Sequence, residues 1–296
     1  MKNLKIFFVT YKRQDVLNES LNTLFHQTDF LTLKDTEVNI INNHSEFYLD
    51  PTFRNQVNVI NNEARPDWDL GNLSRSWNQA LLHGFKDLNN PDANYVVTMQ
   101  NDIVLDAKWA SNLMQMHKKY NFVTGHLGDN IISYTPEAVK NIGMWDERFL
   151  LPVNKEADYY IRALIYNKNK SLINDTAHGR TLNNHDALSL DKRYRGGEPD
   201  WAAHKQSKNT RDAWHHTSQI FYYKWKDTWK EQPAYRGWLT KWSADFVKNP
   251  PCTPKSPSFV QYYYFEKDIN LLDKNYVGWR KEDYWFDHTG RGDAKI

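Results

Sequence analysis

Residues 95–99, Tyr-Val-Val-Thr-Met, form an apolar, β-branched run that stops abruptly at Gln100, Asn101 and Asp102 and turns apolar again through Ile103, Val104 and Leu105. A buried strand running into a polar turn has this pattern. Parallel strands in open α/β sheets present their functional groups at their C-terminal ends. Asp102 therefore stands where a sheet offers a carboxylate to a ligand, and such a group suits Mg2+ or Mn2+ held on a phosphate. The plainer alternative is a strand-end Asp that hydrogen-bonds its own turn.

The same pattern recurs upstream. Residues 4–10 read as a buried strand, followed by a turn at Tyr11, Lys12, Arg13 and Gln14. Val16, Leu17, Leu21, Leu24 and Phe25 then fall at helical spacing across residues 15–27. Short strands are expected at 37–41 and 56–60. Helices are expected at about 72–85, with Leu73, Trp77, Ala80, Leu81 and Phe85 inward, and at 109–120. Strands alternating with helices predict βαβ units and a mostly parallel sheet. Three strands then end in polar clusters: Thr10 to Arg13, Asn42 to Ser45, and Gln100 to Asp102. In a parallel sheet these share one edge, which is a ligand site by position, although strand-to-helix turns are polar in any case.

Beyond residue 120 the rhythm changes. Short strands are expected at 122–126 and 131–134, then a helix with Thr135 as N-cap and Pro136 at its first position. A further helix is expected over 156–167, with Tyr160, Ala163, Leu164 and Ile165 facing the core, and a strand over 170–174 leading to His178. Residues 186–212 are charged and aperiodic and read as loop; 214–229 read as an aromatic helix. A Pro-rich break at 249–257 opens an aromatic extension. The expected organisation is one domain over 1–248, with a nucleotide-binding half at about 1–106 and an acceptor half at about 107–248, and an extension over 249–296.

Charge argues against a dedicated nucleic-acid binder, because 38 Lys and Arg stand against 36 Asp and Glu. Cys252 is the only cysteine, which excludes an internal disulfide and fits a reducing compartment. No apolar run approaches the roughly 20 residues that span a bilayer, and the N-terminal stretch lacks a signal-peptide pattern. A soluble, cytoplasmic protein is the expectation. The 12 Trp and 17 Tyr suit stacking on sugars or bases, and equally suit an ordinary core.

Taken in order, these motifs resemble those of the nucleotide-sugar-dependent glycosyltransferases of the GT-A fold, in particular the family-two-like group. Val9-Thr10-Tyr11-Lys12-Arg13 looks like that family's opening strand and turn. Asn42-Asn43-His44-Ser45 is similar to its Asp-Asn-Gly-Ser turn, with Asn42 in place of Asp. Asp69-Leu70-Gly71, Arg75 and Asn78 resemble its Asn-x-Gly loop and following helix. Gln100-Asn101-Asp102 matches its acidic metal motif in the last position. Gly143-Met144-Trp145-Asp146-Glu147-Arg148-Phe149, followed by Glu156, Asp158 and Arg162, is close to its acceptor segment. Ala177-His178-Gly179 and the 221–226 segment resemble its last two motifs. The likeness covers residues 4–230, and its strength is the order of the motifs rather than any one of them.

The resemblance implies a Rossmann-like, mostly parallel central sheet flanked by helices. It also implies transfer of a sugar from a nucleotide-diphosphate sugar, expected to be a UDP-sugar, to a glycan or glycoconjugate hydroxyl with inversion. Asp102 and His178 would hold Mn2+ or Mg2+. Thr10, Tyr11, Arg13, Asn43, Asp69, Arg75, Asn101 and Asp102 would bind the donor; Trp145 and Asp146 would meet the acceptor. Glu156 aligns with the general base. Asp158, two residues on, points about 200° away on a helix and is expected to touch the donor sugar or serve the structure. Both carboxylates also suit a helix N-terminus simply as charges on its dipole. A turn hydrogen bond is the alternative for His178 and core packing for Trp145; Arg193 and Arg195 could close over the diphosphate, but their loop is read rather as a solvated charged segment. Two other functions stay open. A sugar-phosphate nucleotidyltransferase would want a glycine-rich phosphate loop, which the turn at Tyr11 to Gln14 lacks. A non-catalytic carbohydrate-binding protein would use the aromatics without nucleotide affinity.

Overall fold

The computed structural model describes residues 1–11, 14–44, 47–62, 73–126, 128–147, 149, 155–156, 158–159, 163, 180–181 and 187–189. The first strand is β1 (Lys2–Thr10), followed by helix α1 (Gln14–Asn22), β2 (Thr36–Asn42) and β3 (Asn58–Asn61). Helix α2 (Leu73–Phe85) leads to β4 (Ala93–Gln100), β5 (Ile103–Leu105) and helix α3 (Trp109–His117). The rest comprises β6 (Phe122–His126), β7 (Gly128–Tyr134), α4 (Pro136–Ile142), β8 (Arg180–Thr181) and β9 (Ala187–Ser189).

The main sheet has the order β3-β2-β1-β4-β7-β6-β8. β1 pairs in parallel with both β2 and β4, and β2 in parallel with β3, whereas β7 runs antiparallel to β4 and β6. The parallel strands β1 to β4 are those expected from the alternation; the antiparallel β7 makes the whole sheet mixed. The chain walks outward from β1 to β3 and then returns to the other side of β1 for β4. The strand order thus reverses between β1 and β4, where a doubly wound sheet opens a crevice at its C-terminal edge.

Alternation along each strand sorts side chains to two faces. Leu4, Ile6, Phe8, Val38, Ile40, Val97 and Met99 join Leu17, Leu21 and Leu24 near α1 and Trp109, Ala110 and Leu113 of α3 in one apolar cluster. Phe7 and Val96 face α2 instead, and α2 lies very close to them. A Cβ on Gly84 would come 2.4 Å from Val96 Cγ2 and 3.2 Å from Phe7 Cε2. Lys5, on that face, is buried and donates to Asp92 at 2.7 Å; Lys86 reaches the same carboxylate oxygen at 2.7 Å. The two ammonium groups hold the Asp92 carboxyl down to about 2.

Local chemistry sets the helix ends. Thr135 caps α4 by accepting from Ala138 N at 3.2 Å, with Pro136 opening the helix as expected. Gly143 ends it at φ 96°, a backbone region that excludes side chains. The helix expected over 15–27 is corrected: α1 stops at Asn22 and a π-helical turn carries Thr23–Gln27. The Thr23 hydroxyl donates to Ser20 O at 2.8 Å and the Thr28 hydroxyl to Leu24 O at 2.7 Å, so side chains bracket the widened turn. α3 has no side-chain cap from its own N-cap residue, Lys108. Asp29, far back in the chain, accepts from Ala110 N at 2.9 Å and Ser111 N at 3.1 Å instead.

The loop expected over 186–212 is also corrected at its start. Ala187–Ser189 is a strand, antiparallel to β5, pairing Ile103 with Ser189 and Leu105 with Ala187. Three residues are too few to show a period, and the partner strand lies far away in sequence. The helix expected over 156–167 is represented by Lys155, Glu156, Asp158, Tyr159 and Ala163, all helical. The strand expected at 170–174, the aromatic helix at 214–229 and the 248/249 boundary lie outside the described residues. No helix among the described residues is long and apolar enough to cross a membrane.

Candidate active site

The C-terminal edge of the parallel strands is bound together by polar side chains. Asn101 Nδ2, in the turn after β4, donates to Thr10 Oγ1 at the end of β1 at 3.1 Å. That contact bridges the point where the strand order reverses. Thr10 O in turn accepts from Asn43 N at 3.0 Å. Thr10 and Asn43 are buried; Asn101 and Asp102 are half-buried, with Asp102 Oδ1 shielded from solvent. Tyr11 and His44, at the ends of β1 and β2, meet edge to face with centroids 5.2 Å apart.

From this edge a hydrogen-bonded network runs into α2. Asn43 Nδ2 donates to Ser76 Oγ at 3.1 Å, and Asn43 Oδ1 accepts from Asn62 Nδ2 at 3.1 Å. Asn62 and Gln79 exchange two amide hydrogen bonds at 2.7 and 3.0 Å. Asn42 donates to Asn61 Oδ1 at 2.9 Å and fastens His44 through both its amide atoms. The Asn43 amide thus holds strand ends to α2. Buried amides on a helix that is otherwise apolar are costly unless every group is met, and here they are met by each other.

The next face of α2 grips residues 145–149. Asn78 accepts from Trp145 N at 2.8 Å and donates to Trp145 O and Glu147 Oε1, both at 2.9 Å. Arg75 Nε donates to Glu147 Oε2 at 3.0 Å. Burial pushes the Glu147 carboxyl up, and the Arg75 charge and the Asn78 and Arg75 hydrogen bonds oppose that. Glu147 is a residue that motif reasoning passed over in favour of its neighbour Asp146, which is also buried. Its sequence signal is weak, because it stands between Asp146 and Arg148 in a charged run, and only its burial calls for a cationic partner.

Trp145 connects this grip to the candidate base. Its ring is buried and stacks on Tyr159 with centroids 4.3 Å apart and planes 16° from parallel. Trp145 Nε1 donates to Tyr134 OH at 3.1 Å, and Tyr159 OH donates to Gly143 O at 3.0 Å. Tyr159 is helical, as are Glu156 and Asp158, and both carboxylate residues are buried. Lys155 Nζ lies 3.4 Å from Glu156 Oε2. Linked contacts therefore run from Asn101 through Thr10, Asn43, Ser76 and α2 to Trp145 and Tyr159. They join Thr10, Asn43, Arg75, Asn101 and Trp145 into one framework, with Asp102, Asp146, Glu156 and Asp158 adjoining it in sequence. Arg13, Asp69 and His178 lie outside the described residues.

Among the described residues no three His, Cys, Asp or Glu side chains converge on a metal position. Among the described residues Asp102 is the carboxylate at the strand-end edge, chemistry that fits a hard cation shared with phosphates, which needs only one or two protein carboxylates.

The fold is thus a doubly wound α/β sheet with a polar crevice edge at its switch point. No protein-family model matches the chain, and no curated protein matches it. Solved structures to which it is similar include S. aureus TarS 1-349 in complex with UDP, at 15% identity and a TM-score of 0.39, covering 57% of this chain and 56% of that one. A mannosyltransferase, PcManGT from Pyrobaculum calidifontis, in complex with GDP-Man and Mn2+, matches at 10% identity and 0.44, covering 83% and 73%. Glucosyl-3-phosphoglycerate synthase from Mycobacterium tuberculosis, in complex with Mn2+, UDP-Glc and phosphoglyceric acid, matches at 9% identity and 0.44, covering 74% and 79%. The chain spans little more than half of the TarS fragment.

Proposed function

We propose that the protein is a GT-A glycosyltransferase that moves a sugar from a nucleotide-diphosphate sugar, a UDP-sugar, to a hydroxyl of a glycan or glycoconjugate, with inversion. The observation that carries this reading is the Asn101–Thr10 contact across the switch point at 3.1 Å. It sets Asp102 at the crevice edge where a doubly wound sheet takes its ligand. The order of sequence motifs around that point supports the same reading.

In this mechanism Thr10, Tyr11 and Arg13 hold the nucleotide, with Asp69 and Arg75 toward ribose and phosphate. Asn43 acts from beneath, by fixing the strand ends. Mn2+ or Mg2+ on Asp102, with His178 as a second ligand, would neutralise the departing diphosphate. Trp145 and Asp146 shape the acceptor side. The acceptor oxygen attacks the anomeric carbon as the bond from that carbon to the diphosphate oxygen breaks. The acceptor proton passes to the Glu156 carboxylate, and the electron pair leaves with the diphosphate. Lys155 Nζ, 3.4 Å from Glu156 Oε2, holds that carboxylate in place.

Calorimetric titration with UDP, GDP and dTDP, with and without Mn2+, tests the donor class. Binding of one nucleotide, strengthened by Mn2+, is expected; binding of none sinks the proposal. Glu156→Gln should bind donor normally and lose transfer by about 100-fold or more. If Asp158→Asn abolishes transfer while Glu156→Gln retains it, the base is misassigned.

A further inference from the structure

Ser20 is a hydroxyl placed among hydrocarbons. It lies on the inward face of α1 with Val16, Leu17 and Leu21, and is fully buried. Alanine fits such a position with better helix propensity and no polar group to satisfy. The Ser20 hydroxyl is satisfied outside its own helix. It donates to Asn101 O at 2.7 Å and accepts from Ile103 N at 2.9 Å.

Those two backbone groups belong to the two peptide units that flank Asp102. A single oxygen therefore pins both planes on which the direction of the Asp102 Cα–Cβ bond depends. Asn101 is fixed a second time, through its side chain, on Thr10 Oγ1 at 3.1 Å. The turn is also short: β4 ends at Gln100 and β5 begins at Ile103. With both flanking peptides held, the carboxylate of Asp102 has little backbone freedom left.

We propose that Ser20 is the positioning residue of Asp102: through the Asn101 and Ile103 backbone it aims the carboxylate at the ligand crevice, without touching ligand itself. The inference rests on the reading of Asp102 as the group that meets the diphosphate with its cation. A site whose geometry is set to within about 0.5 Å by its support loses affinity when that support goes.

Four variants of the full chain separate the possibilities: Ser20→Ala, Thr23→Val, Asp102→Asn and the double variant Ser20→Ala with Asp102→Asn. Thr23 sits in the turn after α1, is equally buried and donates to Ser20 O at 2.8 Å, so it reports generic loss of a buried hydroxyl next to Ser20. Each is titrated calorimetrically with UDP, GDP and dTDP in the presence of Mn2+, alongside urea unfolding. Ser20→Ala should weaken nucleotide binding about tenfold or more, and Thr23→Val should leave it at the wild-type value. The double variant should bind within about twofold of Asp102→Asn alone, because a residue acting through Asp102 adds nothing once that carboxylate is gone. Should Ser20→Ala not fold, Ser20→Cys supplies the same comparison with the volume retained. Ser20→Ala binding like wild type while Asp102→Asn is weakened overturns the positioning role alone, as does a double variant weakened by the product of the two singles. No nucleotide bound by the wild type, or Asp102→Asn binding like wild type, overturns the site reading and the Ser20 assignment with it.

Discussion

The two faces of the sheet are built on different principles. The face toward α1 and α3 is hydrocarbon: Leu4, Ile6, Phe8, Ile40, Val97 and Met99 pack on Leu17, Leu21, Leu24, Trp109 and Leu113. The face toward α2 carries buried Lys5, Asn39 and Thr98 among its apolar residues, and α2 itself buries Ser76, Asn78 and Gln79. Apolar packing is non-directional and tolerates swaps of similar volume. Amide and carboxylate networks fix atoms in place and fail when one member is removed. The α2 side is the one that ties the crevice edge to residues 145–149 through polar contacts; apart from the Ser20 hydroxyl, the other side supplies mainly bulk stability.

The largest expected effect breaks the ion pair on the polar side. Arg75→Ala leaves buried Glu147 with its charge uncompensated and should cost about 3–5 kcal/mol in urea unfolding. A loss under about 1 kcal/mol would mean that the α2 network is ornamental. Next comes His117, a polar group set beside the apolar side. Its Nδ1 lies 3.0 Å from Tyr120 O, its Nε2 2.6 Å from Ser133 Oγ, and its ring stacks on Tyr95 at 4.3 Å. Burial pulls its pKa from 6.5 to about 4, against the Tyr120 hydrogen bond. The unfolded chain takes up this proton below pH 6.5 and the folded chain only near pH 4, so stability present above pH 6.5 is lost as pH falls through that window. The loss reaches about 3 kcal/mol. Urea midpoints measured between pH 7 and 4 should fall accordingly, and His117→Phe should remove that part of the slope.

Smaller effects test the packing on each side. Gly84→Ala forces α2 away from Val96 and Phe7 and should cost about 1–3 kcal/mol, with some loss of nucleotide binding because α2 carries the Asn43 and Asn62 contacts. Ile40→Val, on the hydrocarbon face, should cost about 1 kcal/mol and leave binding unchanged. If Ile40→Val lowers affinity more than Gly84→Ala does, the division between the two faces is wrong.

What could be read in the sequence follows from range. The runs at 4–10, 37–41 and 95–99 and the helical spacing of Leu73, Trp77, Ala80 and Leu81 are local signals, and they gave the strands, α2 and the shared polar edge. Thr135 and Pro136 announced the start of α4 for the same reason. Ser20 and Asp29 are different. Each is an unremarked polar residue until a distant backbone arrives to use it, the turn after β4 for one and the start of α3 for the other. The pairing of Arg75 with Glu147 joins residues far apart in the chain, so motif order named a ligand role for Arg75 without showing that its Nε also clamps Glu147. β9 is invisible alone, because three residues carry no period.

That last strand has a consequence for synthesis. β1 to β4 are complete within the first hundred residues and pair among themselves. β5, immediately past Asp102, waits for Ala187–Ser189 to supply its partner. On a ribosome, domains take shape as the chain emerges, so the floor of the crevice precedes the reinforcement of its rim by the time needed to make nearly a third of the protein. A nascent chain arrested between β7 and β9 already carries β1 to β4 and the Ser20 contacts on either side of Asp102, but its β5 has no partner strand.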